Sequence, residues 1–293
     1  MSMLKPKAIF LRLSKEIPTE LQKQLIVTGS LAAAYHFSNK LKGQAVNTKD
    51  ADLVVHPAGN VTSCKEMTNH LLSLGWRRKE RCIPQAKKEP VNKLEAIRLY
   101  PPTSKTYFIE FLNLPRKGQT HLKRWVPMRL ADGWYGLPSF KYMGLVAEQR
   151  LKSEVGIEYA SPAMMALANL LAHQSLGTAR IESGDMEGLL RSAKDLGRVI
   201  ALALLSGRED AEAWLDSWVQ GLKKCFPKNH AELARNAGDG LGELLNDQAA
   251  LAEAQQTTEI GLLSGMKVTA AMLKATGERL LVDVIEPLAE RFA

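Results

Sequence analysis

The chain has 293 residues, of which 45% are hydrophobic and 24% charged, the balance of a folded protein with a real core rather than a broadly disordered one. Its 39 Lys and Arg against 31 Asp and Glu leave a net charge of +8, which favours a polyanionic partner over a small cationic substrate. Three widely spaced cysteines, Cys64, Cys82 and Cys225, exclude a disulfide framework or a zinc ribbon, and none of the six scattered histidines stands four residues from another.

Taken in chain order, the N-terminus M-S-M-L-K-P-K-A-I-F-L-R has no uninterrupted apolar core and no small-residue cleavage site, so it does not read as a secretory signal. A short helix is predicted over 18–24. Leu25-Ile26-Val27-Thr28 is then a β-branched run that predicts a strand. Gly29-Ser30 makes a tight turn into the Ala-rich helix that starts at Leu31 and runs to about residue 40. Strand, Gly-Ser turn and helix start present free backbone N–H groups and a helix dipole to an anion. Ser30 also suits a plain helix N-cap, and both readings stand.

The next strand is predicted over 50–55, D-A-D-L-V-V. Alternation puts Asp50 and Asp52 on one face about 7 Å apart along the chain, with Ala51 on the other. Two carboxylates aimed at one point suit Mg²⁺, a hard cation that prefers oxygen ligands. A solvated edge or a turn would also place two Asp this way, but Leu53-Val54-Val55 carries the strand into the core.

E-M-T-N-H-L-L-S-L-G-W has helical apolar spacing and stops at Gly75. Two strands are predicted around 94–100 and 106–112. In the second, Phe108, Glu110 and Leu112 share a face, so Glu110 is a lone charge on an apolar strand. It requires either a metal or a basic partner, and the sequence leaves both open. Residues 115–138 read as a long loop or irregular hairpin. Between Trp76 and Arg129 basic residues recur, with Trp76 and Trp125 among them. That segment is a candidate for RNA or another polyanion, with the tryptophans stacking on bases, or else it is a solvated basic surface over buried tryptophans.

From about 160 the periodicity becomes helical: Met164, Leu167, Leu170 and Leu171, then Leu196, Val199, Ile200, Ala203 and Leu204. Further helices are predicted over 209–225, 230–246 and 267–291. Met164, Met165, Trp214 and Trp218 read as core. The longest apolar run, Val199 to Leu205, is far too short to span a bilayer, and a cytoplasmic protein without membrane association is expected.

T-G-S-L-A-A-A-Y followed by T-K-D-A-D-L resembles the nucleotidyltransferase superfamily, and within it the branch that contains the AbiEii-type toxins. Thr48, two places before Asp50, also matches that branch. The resemblance covers 25–112 and, more loosely, 160–205, where Ser161-Pro162 starts one helix and Lys194-Asp195 lies in another. It implies an α/β fold, with a small mixed β-sheet nucleotidyltransferase domain over 1–150 and a mainly α-helical domain over 151–293.

It further implies transfer of a nucleoside monophosphate from an NTP substrate, such as ATP, to an acceptor hydroxyl, RNA being favoured, in a toxin–antitoxin or phage-defence setting. Asp50, Asp52 and Glu110 would hold Mg²⁺ and carry catalysis, and Gly29, Ser30, Lys194 and Asp195 would contact the nucleotide. Lys194 and Asp195 also read as the polar face of a helix. A Lys that the resemblance expects in the first helix is replaced by Asn169 or His173. Two alternatives follow: a binding or regulatory module that has lost catalysis, or an enzyme that modifies a protein or a small molecule.

Overall fold

The structure, a computed structural model, describes residues 3–41, 46–78, 94–104 and 106–293. Cys82 and the basic residues of 79–93 lie outside the described residues. The protein is mixed α/β, with a mixed sheet and a helical C-terminal region. It forms two compact units: Met1–Tyr35 with Thr48–Ala160, and His36–Asn47 with Ser161–Ala293.

The first unit is built on a seven-stranded sheet. Its elements are α1 (Pro6–Glu16), β1 (Leu25–Thr28), α2 (Gly29–His36), β2 (Asp50–Val55), α3 (Val61–Ser73), β3 (Arg77–Arg78), β4 (Arg98–Tyr100), β5 (Phe108–Asn113), a hairpin of β6 (Lys123–Arg129) with β7 (Trp134–Phe140), β8 (Leu151–Lys152) and β9 (Glu158–Tyr159). The strand order is β8-β9-β1-β2-β5-β4-β3. The β1–β2 pair is antiparallel, β2–β5 parallel and β5–β4 antiparallel. Leu25, Ile26 and Val27 are fully buried, as are Leu53, Val54 and Val55, so the central strands are apolar on both faces away from the Asp end of β2.

Local signals set the helix ends. Asn60 Oδ1 accepts from Ser63 N at 3.2 Å to start α3, and Gly75, in the left-handed region at φ +85°, stops it. Helix α1, which the periodicity reading did not predict, buries Ile9, Phe10 and Leu13. Of the stretch expected as a long loop or irregular hairpin, the part from Lys123 onward is a regular antiparallel hairpin of seven residue pairs, with Pro138 paired opposite Trp125.

The units divide between Ala160 and Ser161 rather than near 150, because Glu158 and Tyr159 pair in parallel with Ile26 and Val27 and so belong to the sheet. Trp76 is 2% exposed and its Nε1–H donates to Glu16 Oε2 at 2.6 Å. It is therefore a core residue and offers no face to a base.

The second unit is helical, its longer helices being α4 (Pro162–Ala172), α5 (Arg191–Ser206), α6 (Trp214–Cys225), α7 (Gln248–Ile260) and α8 (Ala270–Leu280), with shorter helices at Arg208–Glu212, His230–Arg235 and Asp239–Asn246 between them. Ser161 Oγ accepts from Met164 N, and Pro162 occupies the first helical turn of α4. Gly197 lets α5 and α7 approach closely, since a Cβ there would lie 3.2 Å from the Ala254 carbonyl oxygen. Met164, Met165, Trp214 and Trp218 are all buried, as core readings require, and Trp218 Nε1–H donates to Ala163 O at 2.8 Å. Among the described residues no helix is long and apolar enough to cross a membrane.

Candidate active site

Strand register assembles the acidic centre of the first unit. Thr28 pairs with Asp52, Asp52 with Glu110, and Glu110 with Arg98. Directly paired residues share a face, so Thr28, Asp52, Glu110 and Arg98 form a row across four adjacent strands at about 4.8 Å per step. Asp50, two residues along β2, lies on the same face, where it is exposed and Asp52 half-buried, while Ala51 on the opposite face is fully buried. The Thr48 hydroxyl donates to Asp50 Oδ1 and orients that carboxylate.

Gly29 closes the site from the β1 side. It adopts φ +71°, and a Cβ at that position would stand 2.7 Å from Asp52 Oδ2. Only glycine lets the backbone turn there while pressing against the carboxylate. Ser30 lies in the first turn of α2, half-buried, and Leu31 to Tyr35 anchor that helix in the core. Gly29 thus lies against Asp52, with Ser30 next to it in the chain and Asp50 two residues along the strand.

Glu110 is in the same row, but its Oε2 accepts from Arg98 Nε at 2.6 Å, which is the basic partner left open by the sequence. Burial pulls the Arg98 pKa down, but the Glu110 carboxylate and its hydrogen bond, with Tyr100 and Asp50 beyond, push it above the ordinary arginine value. The pair is thus a fixed charge-assisted contact. Among the described residues no group of three or more His, Cys, Asp or Glu side chains is placed to hold a metal ion. Asp50 and Asp52 nevertheless fit Mg²⁺, which is often held by one or two carboxylates together with substrate phosphates.

If the acidic row serves the nucleotidyl transfer that the resemblance implies, Glu110→Gln, which keeps a hydrogen-bond acceptor for Arg98, is expected to lower it less than about tenfold. A loss as large as that of Asp52→Asn, measured in the same assay, would make Glu110 a cation ligand. Arg98 was missed in the sequence because its meaning rests on an antiparallel register that periodicity does not encode.

Lys194 and Asp195 lie on α5 of the second unit. Asp195 Oδ2 is 2.9 Å from His173 Nε2, and Arg198 Nη1 is 3.9 Å from Asp195 Oδ1. Burial by itself would raise the Asp195 pKa; the His173 hydrogen bond and the charges of Arg198 and Lys194 outweigh it and hold the carboxyl below its ordinary value.

A depressed carboxyl pKa contributes stability that is complete above the unfolded value, about 3.9, and is lost as pH falls through the folded one. Urea midpoints of wild type and Asp195→Asn are therefore expected to run parallel from pH 7 to about 4. Below that pH, wild type should lose stability more steeply. Parallel curves down to pH 2.5 would remove Asp195 from the acid response.

Of the basic segment, Arg77, Arg116, Lys117, Lys123, Arg124 and Arg129 are exposed. Arg78 pairs with Asp132, and Lys123 Nζ sits 4.5 Å from the centre of the Trp125 ring. Cys64 is buried, which raises its thiol pKa and makes it unreactive. No protein-family model matches the chain, and comparison with curated proteins and with solved structures finds no match.

Proposed function

We propose that this protein is a Mg²⁺-dependent nucleotidyltransferase that moves a nucleoside monophosphate from an NTP to an acceptor hydroxyl, with RNA the favoured acceptor and the cytoplasm its setting. The observation that carries this reading is the left-handed Gly29 turn held against the Asp52 carboxylate, with Asp50 beside it on the same strand face.

Asp50 and Asp52 would hold Mg²⁺, and when bound the cation supplies Lewis-acid stabilisation of charge on the phosphoryl oxygens. The N–H groups at the Gly29-Ser30 turn would cradle the β- and γ-phosphates. Thr48 holds Asp50 in orientation through its hydroxyl. Glu110 balances the Arg98 guanidinium next to the acidic pair through Oε2, which leaves its second oxygen as the one that would serve a cation. Lys194 and Asp195 lie in the second unit and enter the proposal through the family resemblance alone. The same resemblance suggests a toxin–antitoxin or phage-defence role.

A second reading keeps the fold but not the turnover. It draws on α4, P-A-M-M-A-L-A-N-L-L-A, which carries no Lys to bind phosphates. One experiment separates the two. Each of four α-³²P-labelled NTPs is offered with Mg²⁺ to total RNA and to protein by wild type and by Asp50→Ala/Asp52→Ala. Label on RNA that disappears in the double variant is the expected result. Label on protein would shift the acceptor class. No label on any macromolecule from folded wild type would leave the binding-module and small-molecule readings.

A further inference from the structure

The face of the sheet that carries Asp50 and Asp52 also carries aromatic side chains away from the core. Phe108 pairs in register with Asp50, and Tyr100 lies beside Phe108 on β4, opposite Arg77. Both rings are half-buried, whereas the neighbours of opposite parity, Tyr107, Ile109 and Leu99, are buried against the other face. The Tyr100 and Phe108 ring centres are 5.5 Å apart at 57°, and the Arg98 guanidinium carbon is 5.1 Å from the Phe108 centre. Two rings and a planar cation thus make one π surface. The charge of Arg98 is balanced by Glu110, so the exposed Arg77 gives that surface its positive charge.

The placement of this surface matters for an in-line displacement, in which attacking and leaving oxygens stand on opposite sides of phosphorus. The sheet runs β1, β2, β5, β4. The Gly29-Ser30 turn flanks the acidic pair at the end of β1, and the aromatic surface flanks it on β5 and β4. A pyrophosphate leaving toward the turn obliges the acceptor to approach from the aromatic flank.

We propose that Tyr100, Phe108 and the plane of Arg98 seat the terminal nucleobase of a single-stranded RNA acceptor by stacking, with Arg77 attracting its backbone phosphates. This rests on the nucleotidyltransferase reading and assigns the acceptor side of the same site. The acceptor hydroxyl oxygen bonds to the α-phosphorus of the nucleoside triphosphate as the bond to pyrophosphate breaks, and the hydroxyl proton passes to water. Base stacking on aromatic side chains tolerates any sequence, so the site discriminates single strands from duplexes rather than one base from another.

The probe is an unstructured RNA 12-mer with 4-thiouridine at its 3′ end, used with the full-length chain at low salt. Irradiation should attach the terminal base to the tryptic peptides 99–105 or 106–116. Phe108→Leu and Tyr100→Leu retain apolar volume without the π face. Each is expected to weaken RNA binding about tenfold or more and raise the KM for RNA in step, leaving the KM for NTP within about twofold.

Cross-linking elsewhere overturns the proposal, as do unchanged affinities in Leu variants that melt like wild type. A KM rise confined to NTP overturns it too, since that would seat the incoming nucleotide's base on the surface. Failure of the underlying reading has its own signature: wild type transfers no label from any NTP, and the acceptor role falls with it. RNA binding itself is scored without NTP in Asp50→Asn/Asp52→Asn, so the two failures are told apart.

Discussion

Asp52→Asn is expected to lower nucleotidyl transfer by about 10³-fold or more while leaving the thermal midpoint within a few degrees of wild type. Removing one of two carboxylates from a cation site forfeits several kcal/mol of charge stabilisation, and each 1.4 kcal/mol is a factor of ten. Asn has the size and shape of Asp, so the packing against Gly29 and the pairing of β2 with β1 and β5 are retained. Asp52 is half-buried in the middle of the polar row, whereas Asp50 is exposed at its end, so Asp50→Asn should fall in the same direction by a comparable or smaller factor. Label-transfer rates at saturating Mg²⁺ and NTP read the effect. A folded Asp52→Asn with more than a tenth of wild-type turnover would end the metal-dependent mechanism.

Gly29→Ala is expected to lose both activity and stability, a combination that sets it apart from the Asp52 change. At φ +71° an L side chain is strained by about 1–2 kcal/mol. The new Cβ would also meet Asp52 Oδ2 at 2.7 Å, a distance that only a shift of the carboxylate or of the turn relieves. A catalytic group displaced by a fraction of an ångström to 1 Å loses up to about 10² in rate. Thermal unfolding should fall by roughly 2–4 °C per kcal/mol for a chain of this size. Ser30→Ala, whose backbone needs no left-handed conformation, should leave the melting midpoint close to wild type. If Gly29→Ala melts and turns over like wild type, the close approach to Asp52 has no functional meaning.

How much of this was legible in the sequence depends on how local each interaction is. Strands at 25–28 and 50–55 and the helix behind Gly29 were readable because β-branching, alternation and a Gly-Ser turn are properties of a few consecutive residues. The same alternation correctly placed Asp50 and Asp52 together with Ala51 opposite. The Ser161-Pro162 start and the apolar spacing around Leu196 gave the helical unit for the same reason. Helix α1 carries its apolar residues Ile9, Phe10 and Leu13 among the basic Lys5, Lys7, Arg12 and Lys15, which blurs its periodicity. Trp76, set among basic residues, was buried by a partner sixty residues earlier in the chain, Glu16.

The sequence by itself determined the acidic pair, the turn that faces it and the change from sheet to helix near residue 160, since each follows from backbone periodicity and turn chemistry over a short span. Only the tertiary structure decided that Gly29 presses on Asp52, that Arg98 takes Glu110, that His173 takes Asp195 and that Tyr100 joins Phe108 beside Asp50. Those contacts depend on the order and register of strands and the crossing of helices far apart in the chain. Shifting a strand by a single residue turns every side chain to the other face, and that choice is made by the burial of the whole sheet.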